Sequence, residues 1–89
     1  MLDAIKLSMR ITHTKLDSDI QRNIDSCLLD LGRVGVDTSE SELVTKACEL
    51  YCKWQYDYHQ KGEQYEKNYN NLRDAMSMSG DYKEGDADV

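Results

Sequence analysis

The stretch SESELVTKACELYCKW, residues 39–54, decides how this chain folds. Leu43, Ala47, Leu50 and Trp54 recur at intervals of four, three and four, which brings their side chains onto one face of an α-helix. Val44, Cys48 and Tyr51 lie beside that line and widen it into a stripe that can meet more than one neighbouring helix. Ser39 followed three residues later by Glu42 reads as a capping box at the start. The expectation is a long central helix, the third in the chain, with the other segments packed around it.

Working back toward the amino terminus, Leu16, Ile20, Ile24, Cys27, Leu28 and Leu31 form a second stripe, with Asp19, Gln21, Arg22, Asn23 and Asp25 outside it. Such a helix packs on one face only. Asp17 or Ser18 is placed to cap it. In GRVGVD, Gly32 is expected to end it in a left-handed cap, with Val34 and Val36 folding back over the helix end. Earlier still, Leu2, Ile5 and Met9 recur at helical spacing, with Asp3 early and Arg10 late as the helix dipole prefers. The β-branched and polar segment ITHT separates this short first helix from the second.

On the carboxyl side the polar run HQKGEQ marks a connection, after which Tyr65, Tyr69, Leu72 and Met76 repeat at spacings of four, three and four. This fourth helix is only weakly apolar. Its two tyrosines suit a surface that stays partly wet or meets another chain. With no proline and few glycines, nothing else interrupts the helices, so the fold class is all-α, a small four-helix domain over residues 1–79. Residues 80–89 are expected to form a flexible acidic tail, because DYKEGDADV has a composition that supports no fold of its own.

Composition limits what such a domain does. At 89 residues a single core is barely sufficient, and Leu, Ile and Val number only 17 with no Phe, so burial through association would help. The net charge is −6, and −3 of it lies beyond Gly80 in Asp81, Glu84, Asp86 and Asp88 against Lys83. No apolar run approaches the ~18 residues of a membrane span, and MLDAIKLSMR lacks the pattern of a secretory signal, so a cytoplasmic chain without membrane contact is expected.

Catalytic and ligand chemistry finds little support. Cys48 and Cys52 are four apart and could face one ion, but the other candidates, Cys27, His13 and His59, have no spacing that converges on them. Thiols packed in the core explain the pair better than a metal, and an odd cysteine count fits a reducing compartment. No nucleophile has a base placed to activate it. The reading is therefore no enzyme and no cofactor. Tyr51, Trp54, Tyr56, Tyr58, Tyr65 and Tyr69 could stack on nucleic-acid bases, yet Lys46, Lys53, Lys61 and Lys67 are interleaved with carboxylates rather than gathered into a basic groove. A helix-turn-helix is equally disfavoured, since GRVGVDTS is a long connection and SESE would present carboxylates to phosphate.

Four segments taken in order carry a resemblance: MLDAIKLSMRIT, KLDSDIQRNIDSCLLDLGRVGV, LVTKACELYCKWQYDYH and YEKNYNNLRDAMSMSGDY. Together, over residues 1 to about 82, they resemble the head-tail connector proteins of long-tailed bacteriophages, also called head-completion or DNA-packaging adaptor proteins. The most specific features are LD-S-DI opening the second helix, DLG-x-x-GV closing it, and MSMSGDY after the fourth. Cys48, Cys52 and the segment DYHQKGEQ depart from the pattern.

The resemblance implies a structural virion protein at the head-tail junction, assembled from the host cytoplasm. It would form a ring of about twelve subunits beneath the portal protein. Genomic DNA would pass through the channel without sequence-specific binding, and a neck or tail-completion protein would attach below. The candidate partner contacts are Tyr65, Tyr69, Leu72, Met76 and, in the tail, Tyr82. The alternative is a soluble acidic helical module that acts in protein interaction or regulation as a monomer or dimer.

Overall fold

The computed structural model describes residues 1–78. Within them the four periodic stretches form α1 Leu2–Ser8, α2 Asp17–Arg33, α3 Glu42–Gln55 and α4 Gly62–Met78, with a single 3-10 turn at Tyr58–Gln60 between the last two. No strand joins them among the described residues, and the fold is all-α. The acidic tail expected beyond Ser79 lies outside the described residues.

α3 touches α1, α2 and α4, and is central in that sense. It is not the long helix expected: at 14 residues it is shorter than α2 and α4, with 17 each. It stops because Asp57 turns left-handed two residues past Gln55. Its start also differs from expectation. Ser41, not Ser39, is the N-cap, and its hydroxyl accepts from the Val44 N–H at 3.2 Å. Ser39 instead donates its N–H to Asp37 in the preceding turn.

The buried face of α3 is rotated from the one read first. Val44, Cys48 and Cys52 are fully buried in line, with Ala47 and Leu50 beside them, whereas Leu43 and Trp54 are only half-buried. Neighbours on three sides enclose a wide arc, and its middle falls along small side chains that let those neighbours approach. α2 contributes Ile20, Ile24, Cys27 and Leu31 to the same core, α1 contributes Ile5 and Met9 lies just beyond it, and α4 contributes Tyr69 and Met76.

The ends of α1 and α2 follow one rule. Arg10 (φ 59°) and Gly35 (φ 85°) are left-handed, and the next N–H in each case reaches five residues back, Ile11 to Lys6 and Val36 to Leu31. These are Schellman caps. Gly32 therefore stays inside α2, which runs on to Arg33, and Gly35 takes the role expected of Gly32 because only there does the chain reverse. Val36 is fully buried over the helix end. At the start of α2 neither Asp17 nor Ser18 caps the helix. The Asp17 carboxylate instead meets Lys6 Nζ at 2.6 Å and ties α1 to α2.

Among the described residues, left-handed non-glycine backbone gathers most densely in the α3–α4 connection. Asp57, His59 and Gln60 have φ of 48°, 53° and 59°. Each left-handed non-glycine costs about 1–2 kcal/mol, because Cβ crowds the following carbonyl. The Asp57 carboxylate offsets part of this by accepting the Gly62 N–H at 2.8 Å. A Cβ on Gly62 would lie 2.6 Å from that same oxygen. Gly62→Ala should therefore displace the carboxylate and lower stability by about 1 kcal/mol, read as a shift in urea midpoint at unchanged slope.

Candidate functional site

The candidate contact residues of α4 do not share one surface. Tyr69 is fully buried and Met76 is 2 % exposed, so both are taken up by the protein's own core. Tyr65 and Leu72 are half-buried at its margin. Tyr82 lies outside the described residues. Periodicity puts all four helical residues on one stripe, but α4 turns Tyr69 and Met76 fully inward and leaves Tyr65 and Leu72 at the margin.

Tyr69 is the hinge of a polar seam between α2 and α4. Its ring sits edge-on to Tyr51 at 5.2 Å and tilted to Trp54 at 6.1 Å. Its hydroxyl donates to Asp30 Oδ2 at 2.7 Å, and the Cys27 thiol approaches the same hydroxyl at 3.8 Å. Asp30 also accepts from Arg73 at 3.1 Å and, through its other oxygen, from Arg33 at 2.6 Å. The Arg73 guanidinium lies 5.8 Å from the Tyr69 ring centre. One carboxylate on α2 thus gathers two donors from α4 and one from its own helix. Asp30 and Arg73 were missed from sequence because nothing in the pattern links residues 43 apart.

A second seam joins α1, α3 and α4. Lys53 Nζ contacts Glu49 at 3.0 Å and lies 5.3 Å and 5.6 Å from the ring centres of Tyr58 and Tyr65. Glu49 also meets Lys46 at 3.4 Å, and the Ser8 hydroxyl of α1 lies close enough to favour its ionised form. Tyr58 stacks on His59 at 4.1 Å. On the α2–α3 side, Tyr56 donates its hydroxyl to Asp19.

These groups set the pH response. Burial would raise the Asp30 and Glu49 carboxyls, but hydrogen bonds outweigh it, from Arg33, Tyr69 and Arg73 to Asp30 and from Lys53 and Ser8 to Glu49. Both end below their ordinary range. A carboxylate depressed in the fold stabilises it above the unfolded pKa, and that contribution is lost as pH falls through the folded pKa. Tyr69 and Tyr56 are shifted the other way, by burial first and then by the carboxylates of Asp30 and Asp19. Their contribution is complete below the ordinary tyrosine value and lost as pH rises past it. Stability measured by chemical denaturation should form a plateau between about pH 5 and pH 8, falling below it as the carboxylates protonate and above it as first the unfolded-state thiols of Cys27 and Cys52 and then the tyrosines ionise. A monotonic change across that window would contradict the seam.

All three cysteines are reduced and buried. The hydrogen bond with Cys48 and burial push the Cys27 thiol far up, and burial pushes Cys52 up to about 12. Thiols held protonated are poor nucleophiles and poor metal ligands. Among the described residues no three His, Cys, Asp or Glu side chains gather as a metal would require. Cys48→Ser should cost on the order of 1 kcal/mol or more, since a hydroxyl there is buried without a ready partner. In the native protein a thiol reagent should react only at the rate of unfolding.

What remains for partners is surface. Leu7, Leu29 and Met78 are 79, 76 and 85 % exposed, each off the stripe of its own helix. A shallow groove of about 440 Å³ at the start of α3 is lined by Glu40, Ser41, Glu42, Thr45, Lys46 and Glu49. No helix among the described residues is long and apolar enough to cross a membrane.

Comparison with known proteins adds one finding. The sequence profile of the family described as phage connector protein matches residues 1–83, all four helices included. No curated protein and no solved structure matches the chain. Four short helices in this order, with cores and caps as described, over a match of nearly the whole chain, place this protein in the phage connector protein family.

Proposed function

We propose that this connector is a head-tail adaptor of the virion, forming a ring of about twelve subunits beneath the portal. In that role it completes the DNA-filled head and presents the attachment point for neck or tail proteins. The observation that carries the proposal is the family match over residues 1–83. Three physical features support it. The exposed Leu7, Leu29 and Met78 are apolar area that gains from a neighbouring subunit. A net charge of −6 repels DNA, which suits a conduit through which the genome slides rather than a binder that retains it by contact. The three cysteines are buried in the core, so their thiols serve the packing of a structural subunit.

Within this proposal Tyr65 and Leu72, at the core margin of α4, are direct partner contacts, and Tyr82 anchors the acidic tail. Tyr69 and Met76 act behind them by fixing the position of α4. Purified protein mixed with portal should give ring density at the portal's tail-facing end by electron microscopy. Failure to bind portal at high protein concentration would sink the proposal. Removing residues 81–89 should leave helical circular dichroism nearly unchanged and weaken portal binding; unaltered binding would remove Tyr82 from the contact set.

A further inference from the structure

One glycine has no use within its own chain. Gly32 lies inside α2, and a Cβ built on it would meet nothing within 4 Å. Alanine would serve the helix better there, because glycine gives up more backbone freedom on folding. Beside it on the outer face of α2 stands Leu29, 76 % exposed, with Ser26 three residues before it and Gly32 three after. A large apolar side chain between two small positions on an uncovered helix face is shaped for the close approach of another helix.

The exposed face of α1 fits it. Leu7 is 79 % exposed, with Asp3 one turn before it and Arg10 just past the helix end. Neither Asp3 nor Arg10 makes an ion pair among the described residues. Laid antiparallel on α2 of another copy, α1 brings Asp3 to Arg33, Leu7 to Leu29 and Arg10 to Asp25, an ion pair on either side of one apolar contact. Laid parallel, it would set Asp3 against Asp25 and Arg10 against Arg33. Charge therefore selects the antiparallel direction. The chain's own α1 does not fill this site, since its Lys6 is tied to Asp17 at the start of α2 and Leu29 near the end stays uncovered.

That direction is the one a ring needs. Within a chain α1 runs with α3, Met1 lying by Glu40 and Ser8 by Glu49, whereas α2 runs against α3, Cys27 lying by Cys48 and Asp19 by Tyr56. α1 and α2 of one copy are thus antiparallel. An α1 that docks antiparallel on the next copy's α2 is parallel to that copy's own α1, so both copies point the same way, as neighbours in a ring do. We infer that the α1 face of each copy, Asp3, Leu7 and Arg10, docks on the α2 face of the next, Asp25, Leu29 and Arg33, with Gly32 making room for it. The inference rests on the ring reading above and names the contact that builds it.

Leu7→Cys combined with Leu29→Cys tests it, because both sites are exposed while the native thiols are buried. Rings on portal treated with the thiol oxidant diamide should give a ladder of covalent oligomers on a denaturing, non-reducing gel, and neither single variant should give one. Rings without a ladder overturn the contact and leave the ring reading standing. Covalent dimers from a single variant would reveal a two-fold pair and overturn the head-to-tail register. A ladder from protein that never binds portal keeps the contact and overturns the ring reading, and absence of any assembly overturns both. Gly32→Ala gives an independent readout with opposite signs. It should raise the urea midpoint of the isolated chain and lower the assembled fraction several-fold by mass photometry; an unchanged assembled fraction would overturn the close approach at Gly32.

Discussion

Tyr69→Ala should destabilise the protein by about 3–5 kcal/mol, the range for removing a buried aromatic side chain from a core. Domains of this size have total stabilities of roughly 5–15 kcal/mol, so the variant should be largely unfolded at modest temperature. Tyr69 is fully buried, and its ring is the surface on which Tyr51 and Trp54 pack. Its loss empties the space between α3 and α4 and strips Asp30 of a donor at once. Tyr69→Phe separates the two effects. The ring stays, and the cost should fall to about 1–2 kcal/mol, the value of a hydrogen bond to a charged acceptor that Arg33 and Arg73 still hold. Urea denaturation of the two variants checks the division. Equal losses would mean that the hydroxyl rather than the ring fixes α4.

Ile5→Ala should produce the second large effect, with a different signature. α1 has seven residues, far below the length at which a helix is stable alone. Its place depends on burial of Ile5 and Met9 and on the Lys6–Asp17 pair. Removing three carbons from a fully buried isoleucine costs about 2–5 kcal/mol. The loss is capped by whatever docking α1 contributes, because beyond that point the helix simply detaches. Amide hydrogen exchange should show residues 2–9 exchanging rapidly while α2, α3 and α4 retain protection. Uniform loss of protection across all four helices would show instead that α1 is inseparable from the core. Detachment would also expose the faces of α2 and α3 that α1 covers, so the variant should self-associate more readily than the parent.

The two predictions mark where sequence reading succeeded and where it stopped. Ile5 was legible: a Leu2, Ile5, Met9 spacing in an otherwise polar segment has no other use than a buried face. The capping residues were legible only in kind. Ser39 and Ser41 both precede an apolar run, and a glutamate three residues after Ser39 made it the better match, yet Ser41 holds the N-cap. Chain reversal behind Val36 leaves Ser39 in the turn, and that reversal is a property of where α2 ends. Likewise Gly32 and Gly35 are equal in sequence, and only the path of the chain over Leu31 decides which becomes left-handed.

For the candidate contacts the gap is wider. Tyr65, Tyr69, Leu72 and Met76 are indistinguishable by period, polarity and helix position. Of the four, Tyr69 and Met76 are fully buried in the shared core, to which α3 gives the small residues Ala47, Cys48 and Cys52 that let its neighbours approach. Asp30 and Arg73 look like ordinary surface charges until α2 and α4 are placed beside each other.

By itself the sequence determined that the chain is helical, where the four helices lie, and, through their order and spacing, the family to which it belongs. Those are local properties, since helical period, caps and breakers act over a few residues. Only the tertiary structure decided which face of α3 is innermost, that Tyr69 is buried in the core, that Asp30 gathers donors from a helix 39 to 43 residues away, and that residues 57–60 bend against their own preference. Each of these depends on which neighbour lies opposite. The packing of helix against helix sets that, and no single helix encodes it.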